Sequence, residues 1–246
     1  MKSPKSTGPN RKTRRQAERN VNTFGIEIEF EPLNDKQEEF VKAYRDGYNI
    51  FGYGSAGTGK SFLACYLALE EVLTNRTKKG IGPKKIVIVR STVSVRDQGF
   101  LPGSVAEKEE PFMAPYRKIF NDITGRGTGF EELMKHGVIE FISTSFVRGA
   151  TFDDTILILD EIQNYNWQEC VSAMTRVGLE TRVIVCGDGK QDDLHYKKND
   201  VSGWQNLLAV TQRMNGQFAH IMFTRDDIVR SGFCKDFIIA CEDLSL

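Results

Sequence analysis

Cysteines are too few and too scattered in this sequence of 246 residues to form a covalent framework. Their number is odd, no Cys-x-x-Cys spacing occurs, and the five of them lie far apart, at positions 65, 170, 186, 234 and 241. This pattern excludes a disulfide-rich secreted scaffold and does not indicate a zinc site. We therefore expect a protein that works in the reducing cytoplasm.

Long apolar runs and clustered histidines are also missing. No run approaches the roughly 18 residues that a membrane-spanning helix needs, and no secretory apolar stretch follows the amino terminus, so we expect no membrane partner. The three histidines are isolated, and the acidic pair Asp192 and Asp193 has no partner carboxylates at metal-site spacing. No nuclease signature is present, although a nuclease built from dispersed acidic residues stays open.

Net charge is absent as well, because 33 basic residues balance 33 acidic ones. The exception is the segment 1–20, where seven lysines and arginines face Glu18 alone. Such a polar, basic stretch cannot offset its ordering entropy by burial, so we predict a disordered arm over 1–20 and one domain over 21–246. The arm has two interpretations: an electrostatic tether to nucleic acid, or a solubilising tail or leader.

A glycine-rich stretch between a short apolar strand and a helix is the most informative feature that the sequence does have. It follows the pattern Gly-x-x-x-x-Gly-Lys-Ser, in which glycines let successive backbone amides converge on phosphate oxygens at a helix N-terminus. We predict a phosphate-binding loop for ATP made of Gly54, Ser55, Ala56, Gly57, Thr58, Gly59, Lys60 and Ser61. Lys60 would reach the β- and γ-phosphates, and the Ser61 hydroxyl would ligate Mg²⁺.

Further apolar runs predict the fold around this loop. They lie at 86–89, 138–142, 156–159, 183–186 and 220–223. Because these runs do not alternate with polar residues, we expect strands buried on both faces, hence a mostly parallel sheet. Helical stretches near 35–44, 62–73, 105–122, 129–135, 167–176 and 204–213 would cover it, giving a three-layer α/β/α domain. Residues 26–31 alternate apolar and acidic side chains, which predicts one half-buried edge strand.

Two carboxylates follow the apolar run 156–159 directly. Asp160 would stand at the carboxyl edge of the sheet, where ligands of such folds bind, and would hold Mg²⁺. Glu161 would act as the base or position the attacking water. After the run 183–186, Gln191 is our candidate for contacting the γ-phosphate or the water, with Asp188 in support. The alternatives are a solvated loop and a plain Gly-Asp-Gly turn.

A cation at the γ-phosphate would complete phosphoryl transfer. Arg176, Arg225 and Arg230 lie near predicted element ends in the second half of the chain. Their spacing does not decide which of them reaches the phosphate, and ordinary surface pairing is the alternative for each.

Taken together, these segments resemble the PhoH family of phosphate-starvation-inducible proteins. The resemblance covers nearly everything after residue 30 and rests on the segments 54–61, 90–93, 99–103, 159–164, 175–178, 187–194 and 227–230, of which Gly-Phe-Leu-Pro-Gly at 99–103 is the most specific. It implies a single RecA-like ATPase domain related to superfamily-one helicase cores, with ATP and Mg²⁺ as ligands and RNA as the suspected polymer. Gln37 resembles the adenine-reading glutamine of such helicases, and Arg230 resembles the late arginine motif of the family.

Helicase-type motors need two ATPase lobes or a ring, and this chain has one lobe. The resemblance therefore implies a homo-oligomer, a hexameric ring, in which Arg230 or Arg225 of one subunit completes the site of its neighbour. Arg90, Arg96 and Phe100 are candidates for contacting a nucleic-acid strand by charge and stacking, with a subunit contact as the alternative.

The sequence thus predicts a Mg²⁺-dependent ATPase coupled to single-stranded RNA or DNA, with helicase-like activity. Two other classes stay open. A small-molecule kinase shares the phosphate loop, but Glu161 beside Asp160 suits the activation of water. A nucleotide-dependent switch or assembly protein would act through a protein partner.

Overall fold

The computed structural model describes residues 25–78, 81–91, 105–188 and 202–244. The predicted arm, Arg96, Phe100 and Gln191 lie outside these ranges. The described strands are β1 (Asn49–Gly54), β2 (Lys85–Arg90), β3 (Ile139–Ser143), β4 (Thr155–Leu159), β5 (Arg182–Gly187) and β6 (Phe218–Phe223). The described helices are α1 (Asp35–Arg45), α2 (Lys60–Lys78), α3 (Val105–Thr124), α4 (Gly129–Lys135), α5 (Trp167–Met174), α6 (Trp204–Gln212) and α7 (Gly232–Asp243).

All six described strands form one parallel sheet in the order β3-β2-β4-β5-β1-β6. Strand β1 lies between β5 and β6, so that Ile50 is opposite both Ile184 and Ala219. Because the strands are parallel, their carboxyl ends meet at a single edge. The ends of β1 and β4, which carry the predicted phosphate and metal residues, both lie at that edge.

Successive side chains of the central strands enter two separate cores. Ile86 and Ile88 of β2 pack under α1 to α4, whereas Val87 and Val89 pack on the side of α5 and α6. Strands β4 and β5 alternate in the same way. Both faces therefore demand apolar residues, which explains the unbroken apolar runs and confirms the three-layer α/β/α prediction.

The predicted edge strand at 26–31 is wrong. Within the described residues this segment joins no sheet, although Ile26, Ile28 and Phe30 are half-buried as the alternation indicates. The Phe30 ring instead packs against the Tyr66 ring of α2, with centroids 5.3 Å apart, and the Ile123 carbonyl of α3 accepts a hydrogen bond from the segment. Alternation of apolar and polar side chains indicates only an extended chain with one buried side. In this segment the buried side packs against helices and not within a sheet.

Helix boundaries differ from the prediction at several points. Asn34 caps α1, because its Oδ1 accepts a 2.9 Å hydrogen bond from the Gln37 amide. Helix α2 runs on to Lys78, beyond the predicted end near residue 73. Helix α7 was not predicted, although Cys234, Ile238 and Cys241 recur at helical spacing; these three side chains are half-buried, and no residue of the helix is fully buried. No helix of the described ranges is long and apolar enough to cross a membrane.

Candidate active site

The predicted phosphate loop connects β1 to α2 and bends through left-handed backbone. Gly54, Gly57 and Gly59 have φ values of +114°, +74° and +89°. At Gly54 the backbone of β6 is so close that an added Cβ would lie 1.9 Å from the Phe223 carbonyl oxygen. A side chain would disfavour these positive φ values and, at Gly54, would collide with the backbone of β6. The conformation of the loop therefore depends on its glycines.

Neighbouring elements hold the loop in place from three sides. The Phe223 carbonyl accepts a 3.1 Å hydrogen bond from the Ser55 amide, and the Gly57 carbonyl accepts one of 3.0 Å from the Val229 amide. From α1, the buried Gln37 donates through Nε2 to the Thr58 carbonyl at 2.9 Å and accepts from the Leu33 amide at 2.9 Å. Gln37 therefore braces the phosphate loop, and its contact with adenine stays a prediction.

Lys60 folds back onto its own loop. Its Nζ donates to the Gly54 carbonyl at 2.9 Å, the Ser55 carbonyl at 2.7 Å and the Thr58 hydroxyl at 3.2 Å. Burial lowers the pKa of this ammonium group, while the nearby Asp188 carboxylate acts in the opposite direction. A triphosphate would offer the ammonium group charged oxygens in place of these neutral acceptors, so the loop fits such a ligand.

The two residues proposed for Mg²⁺ touch each other. Ser61 Oγ donates a 3.0 Å hydrogen bond to Asp160 Oδ1, and the second carboxylate oxygen accepts a 2.7 Å bond from the Tyr116 hydroxyl of α3. A hydroxyl and a carboxylate are hard oxygen ligands of the kind that Mg²⁺ takes together with substrate phosphates. The described residues contain no group of three or more histidine, cysteine or acidic side chains that could hold a metal ion, so this pair would depend on phosphate oxygens and water to complete the metal shell.

Glu161 lies directly after Asp160, in backbone that an acidic residue rarely adopts. Its φ is +54°, a left-handed conformation that persists where surrounding contacts impose it. Its Oε1 lies 3.7 Å from Arg90 Nη2, and its Oε2 accepts a 2.6 Å hydrogen bond from Gln163 Nε2. Burial and the charge of Asp160 raise the pKa of Glu161, and Arg90 opposes them. A raised pKa makes a carboxylate a stronger base than a solvent-exposed one.

Two residues of this site carried no predicted role. Tyr116 belongs to a helix 44 residues before Asp160, and its side chain is only 1% exposed, so in sequence it is indistinguishable from a core residue. Gln163 falls inside the segment 159–164 that carries the family resemblance, which is the one signal that could have singled it out. Its carboxamide joins Glu161 to Asp188 at the end of β5.

The predicted arginines occupy different places. Arg90 is in the site itself, with its guanidinium 5.9 Å from the Phe112 ring centroid and 6.0 Å from that of Tyr116. Arg176 is not brought to the loop: its carbonyl accepts from Phe152, which precedes β4 at the opposite edge of the sheet.

Arg225 and Arg230 lie on the loop side of the sheet, between β6 and α7. Arg225 pairs with two acids of α7, at 2.6 Å from Asp243 and 3.7 Å from Glu242. Arg230 is exposed beside Gly57 and makes no hydrogen bond or ion pair with the other described residues. Of the two, Arg230 is therefore the arginine whose guanidinium can turn to a phosphate without breaking an ion pair.

Helix α7 also reaches the phosphate loop. Glu242 Oε1 accepts a 2.7 Å hydrogen bond from Ser55 Oγ, and both residues line a cavity of about 400 Å³ at the carboxyl end of β1. Tyr53, Trp204 and Met222 are among the side chains that line it. Helix α7 is thus hydrogen-bonded to the phosphate loop.

The chain is similar in sequence to known proteins over most of its length. The sequence profile of the PhoH family, described as PhoH-like protein, matches residues 29–242. A PhoH-like protein from Bacillus subtilis (strain 168) is 36% identical over 179 residues, which cover 72% of this chain and 52% of that protein. Protein PhoH from Escherichia coli (strain K12) is 30% identical over 207 residues, or 82% of this chain and 55% of that protein. The chain spans about half the length of the curated relatives it matches.

Solved structures are similar at a greater distance. The large terminase from a thermophilic bacteriophage matches 82% of this chain and 48% of its own, with a TM-score of 0.48 and 10% identity. The Pif1 helicase from Candida albicans matches 88% of this chain and 44% of its own, with a TM-score of 0.38 and 16% identity. TM-scores below 0.5 mark a loose likeness.

Proposed function

Because the chain belongs to the PhoH family, we propose that it is a Mg²⁺-dependent ATPase coupled to single-stranded nucleic acid. The observation that carries the proposal is the hydrogen bond between Ser61 and Asp160, which unites the phosphate loop and the acidic strand end. Lys60 and Glu161 flank this pair at the same edge of the sheet. A loop that binds phosphate and an acid pair that handles metal and water are the parts that nucleotide hydrolysis requires.

Each residue has a defined task in this proposal. Lys60 exchanges its bonds to the loop carbonyls for the β- and γ-phosphates, while Ser61 and Asp160 hold the Mg²⁺ that neutralises phosphate charge. Glu161 orients the attacking water and takes its proton. Gln191, beyond the end of β5, is proposed to contact the γ-phosphate, and Arg230 to stabilise the charge that develops there.

Hydrolysis is favoured over phosphoryl transfer to a small molecule. Glu161 has one oxygen engaged by Gln163 and the other 3.7 Å from Arg90, at the edge where the γ-phosphate would lie. A half-buried carboxylate in that position suits a water nucleophile. Product analysis distinguishes the two classes, because a hydrolase releases inorganic phosphate and a kinase yields a phosphorylated acceptor.

Coupling to a polymer rests on the basic arm and on Arg90. The arm carries seven of the 33 basic residues and would contact phosphates without sequence preference, with affinity falling as salt rises. Arg90 joins β2 to the segment with Arg96 and Phe100, which are proposed to contact the strand by charge and stacking.

Steady-state ATP hydrolysis with and without single-stranded RNA and DNA tests this coupling. We expect stimulation by at least one of the two polymers, which would identify the nucleic acid that the ATPase is coupled to. Deletion of residues 2–19 should weaken RNA binding and flatten its salt dependence. Hydrolysis that responds to neither polymer would favour the alternative, a nucleotide-dependent switch or assembly protein that acts through a protein partner.

We further propose that the chain assembles into a homo-oligomer, as a hexameric ring. Exposed apolar side chains lie near both ends of the sheet. Phe233 and Phe237 of α7 are 86% and 61% exposed on the β6 side, and Phe146, after β3, is 56% exposed at the other end. Two different apolar surfaces at opposite ends of a subunit suit a head-to-tail contact, the type that closes into rings.

Light scattering of the full chain with Mg²⁺ and nucleotide measures the assembly directly. We expect a mass near six subunits, and dissociation when Phe237→Ser removes an anchor from α7. Lys235→Ser, on the same helix, is the matched control and should leave the mass unchanged. A monomer under all conditions would contradict the ring.

A further inference from the structure

Gln163 is almost completely buried, with 1% of its surface exposed, and both ends of its carboxamide are engaged. Nε2 donates to Glu161 Oε2 at 2.6 Å, and Oε1 accepts from the Asp188 amide at 2.9 Å. The side chain therefore bridges the turn after β4, which holds the proposed base, and the end of β5.

The orientation of this carboxamide is determined by its partners. A backbone N–H can only donate, so the group facing Asp188 must be the oxygen. A carboxylate can only accept, so the group facing Glu161 must be the NH₂. A flipped Gln163 would place donor against donor and acceptor against acceptor, and both contacts would be lost.

The main chain around Gln163 is fixed as well. Its carbonyl accepts a 2.6 Å hydrogen bond from Ser202 Oγ. Two positions further on, the Tyr165 carbonyl accepts a 2.7 Å hydrogen bond from the Gly203 amide. A Cβ at Gly187 would come within 2.8 Å of Gln163 Oε1, so the close approach of β5 depends on a glycine there. The bridge has little freedom to move.

Glu161 needs such a restraint because its other neighbour is a cation. Arg90 Nη2 lies 3.7 Å from Oε1, which is too far for a hydrogen bond but close enough to attract the whole carboxylate. Without the Gln163 donor, rotation of Glu161 would let Arg90 take a closer, two-pronged contact. Both oxygens of the Glu161 carboxylate would then face Arg90 and would be unable to accept a proton from the attacking water.

We propose that Gln163 is a positioning residue that holds the Glu161 carboxylate ready to activate water and links it to the end of β5. The proposal rests on the ATPase function proposed above. Gln163 touches neither nucleotide nor water in this role; it acts through Glu161. Its removal therefore lowers the rate of the chemical step and leaves nucleotide affinity unchanged.

Two variants distinguish the hydrogen bond from Gln163 to Glu161 from the one that Gln163 accepts from the Asp188 amide. Gln163→Glu has the same shape and still accepts from the Asp188 amide, but it replaces the donor to Glu161 with a second carboxylate. Gln163→Leu removes both bonds. Ser202→Ala is the matched control, because it deletes the hydrogen bond to the Gln163 carbonyl while the carboxamide stays intact.

The expected results are a kcat about 10- to 100-fold lower for both Gln163 variants, with the KM for ATP within about twofold of wild type. Ser202→Ala should keep kcat within about twofold. Melting temperature and nucleotide binding are measured for each protein; Gln163→Glu keeps the proposal testable if Gln163→Leu does not fold.

A double-mutant cycle gives the decisive readout. In single-turnover hydrolysis of radiolabelled ATP, Gln163→Glu should cause less than about a twofold further loss when Glu161 is already glutamine. An equal loss in both backgrounds would mean a structural role and would overturn the proposal, as would an unchanged kcat. A wild-type protein that hydrolyses no ATP would overturn the proposed function along with it. Wild-type activity that Glu161→Gln abolishes, with Gln163 variants unaffected, would overturn this inference alone.

Discussion

The hydroxyl of Ser61 and the carboxylate of Asp160 meet at 3.0 Å, although 99 positions separate the two residues in the chain. Parallel strands make this possible, because β1 and β4 deliver their carboxyl ends to the same edge of the sheet. The contact brings together the two residues that are proposed to bind Mg²⁺, Ser61 at the start of α2 and Asp160 after β4. Substitutions around this pair test the site directly.

Tyr116 orients Asp160, and its loss should change the requirement for Mg²⁺. Tyr116→Phe deletes the 2.7 Å hydrogen bond to Asp160 Oδ2 and frees that carboxylate to turn. We expect the Mg²⁺ concentration for half-maximal ATP hydrolysis to rise about tenfold, as for other residues that orient metal ligands.

Tyr165→Phe is the control for this prediction. Tyr165 is just as buried, and its hydroxyl donates a 2.6 Å hydrogen bond to the Val89 carbonyl and not to Asp160. Each substitution should cost about 1 kcal/mol in the free energy of unfolding. An equal shift in Mg²⁺ requirement for the two proteins would refute the role of Tyr116.

Gly54 should tolerate alanine far worse than another glycine of similar backbone. Gly54→Ala combines a φ of +114° with a Cβ 1.9 Å from the Phe223 carbonyl oxygen. Gly47→Ala has a φ of +95° and nothing within 4 Å of the added carbon. We expect Gly47→Ala to lose about 1–3 kcal/mol of unfolding free energy and Gly54→Ala about 1–3 kcal/mol more. Urea denaturation of both proteins measures the difference. Equal losses of unfolding free energy would mean that the close contact of Gly54 with β6 adds nothing to the cost of the substitution.

Lys60 should be indispensable for nucleotide binding. Lys60→Ala removes the single ammonium group inside the loop, and we expect ATP binding measured by calorimetry to disappear. Lys36→Ala, which changes a surface lysine of α1 paired with Glu39, should bind ATP like wild type. Retention of ATP affinity by Lys60→Ala would show that the nucleotide binds elsewhere.

Arg230 and Arg225 should differ in their effect on hydrolysis. Arg230→Ala should slow ATP hydrolysis by about 10²-fold or more, because Arg230 carries no competing ion pair among the described residues. Arg225→Ala should have a much smaller effect, since Arg225 is engaged by Glu242 and Asp243 in the same chain. Comparison of the two kcat values at saturating ATP decides between them, and a larger loss for Arg225 would reverse the assignment.

The phosphate loop and the central sheet could be predicted because their signals are local. Gly54 to Ser61 form one contiguous motif, and each buried strand is one contiguous apolar run. The predicted strand at 26–31 failed because the same alternation arises whenever an extended chain has one buried side. Ile26 and Phe30 are indeed turned inward, but onto helices.

The rest of the site could not be predicted because its contacts join distant parts of the chain. Tyr116 reaches Asp160 from a helix whose sequence shows only that one side is apolar. The bond from Ser55 to Glu242 spans 187 positions, and Glu242 belongs to a helix in which no residue is fully buried. Such pairings depend on how layers pack, which periodicity within one segment does not report.

The most direct test of the central claim is a comparison of wild type and Glu161→Gln in ATP binding and in Mg²⁺-dependent ATP hydrolysis. The account predicts that wild type hydrolyses ATP and that Glu161→Gln binds ATP with similar affinity while hydrolysing it about 10²-fold or more slowly. Equal hydrolysis by both proteins, or none by wild type, would contradict the assignment of this edge of the sheet as an ATPase site.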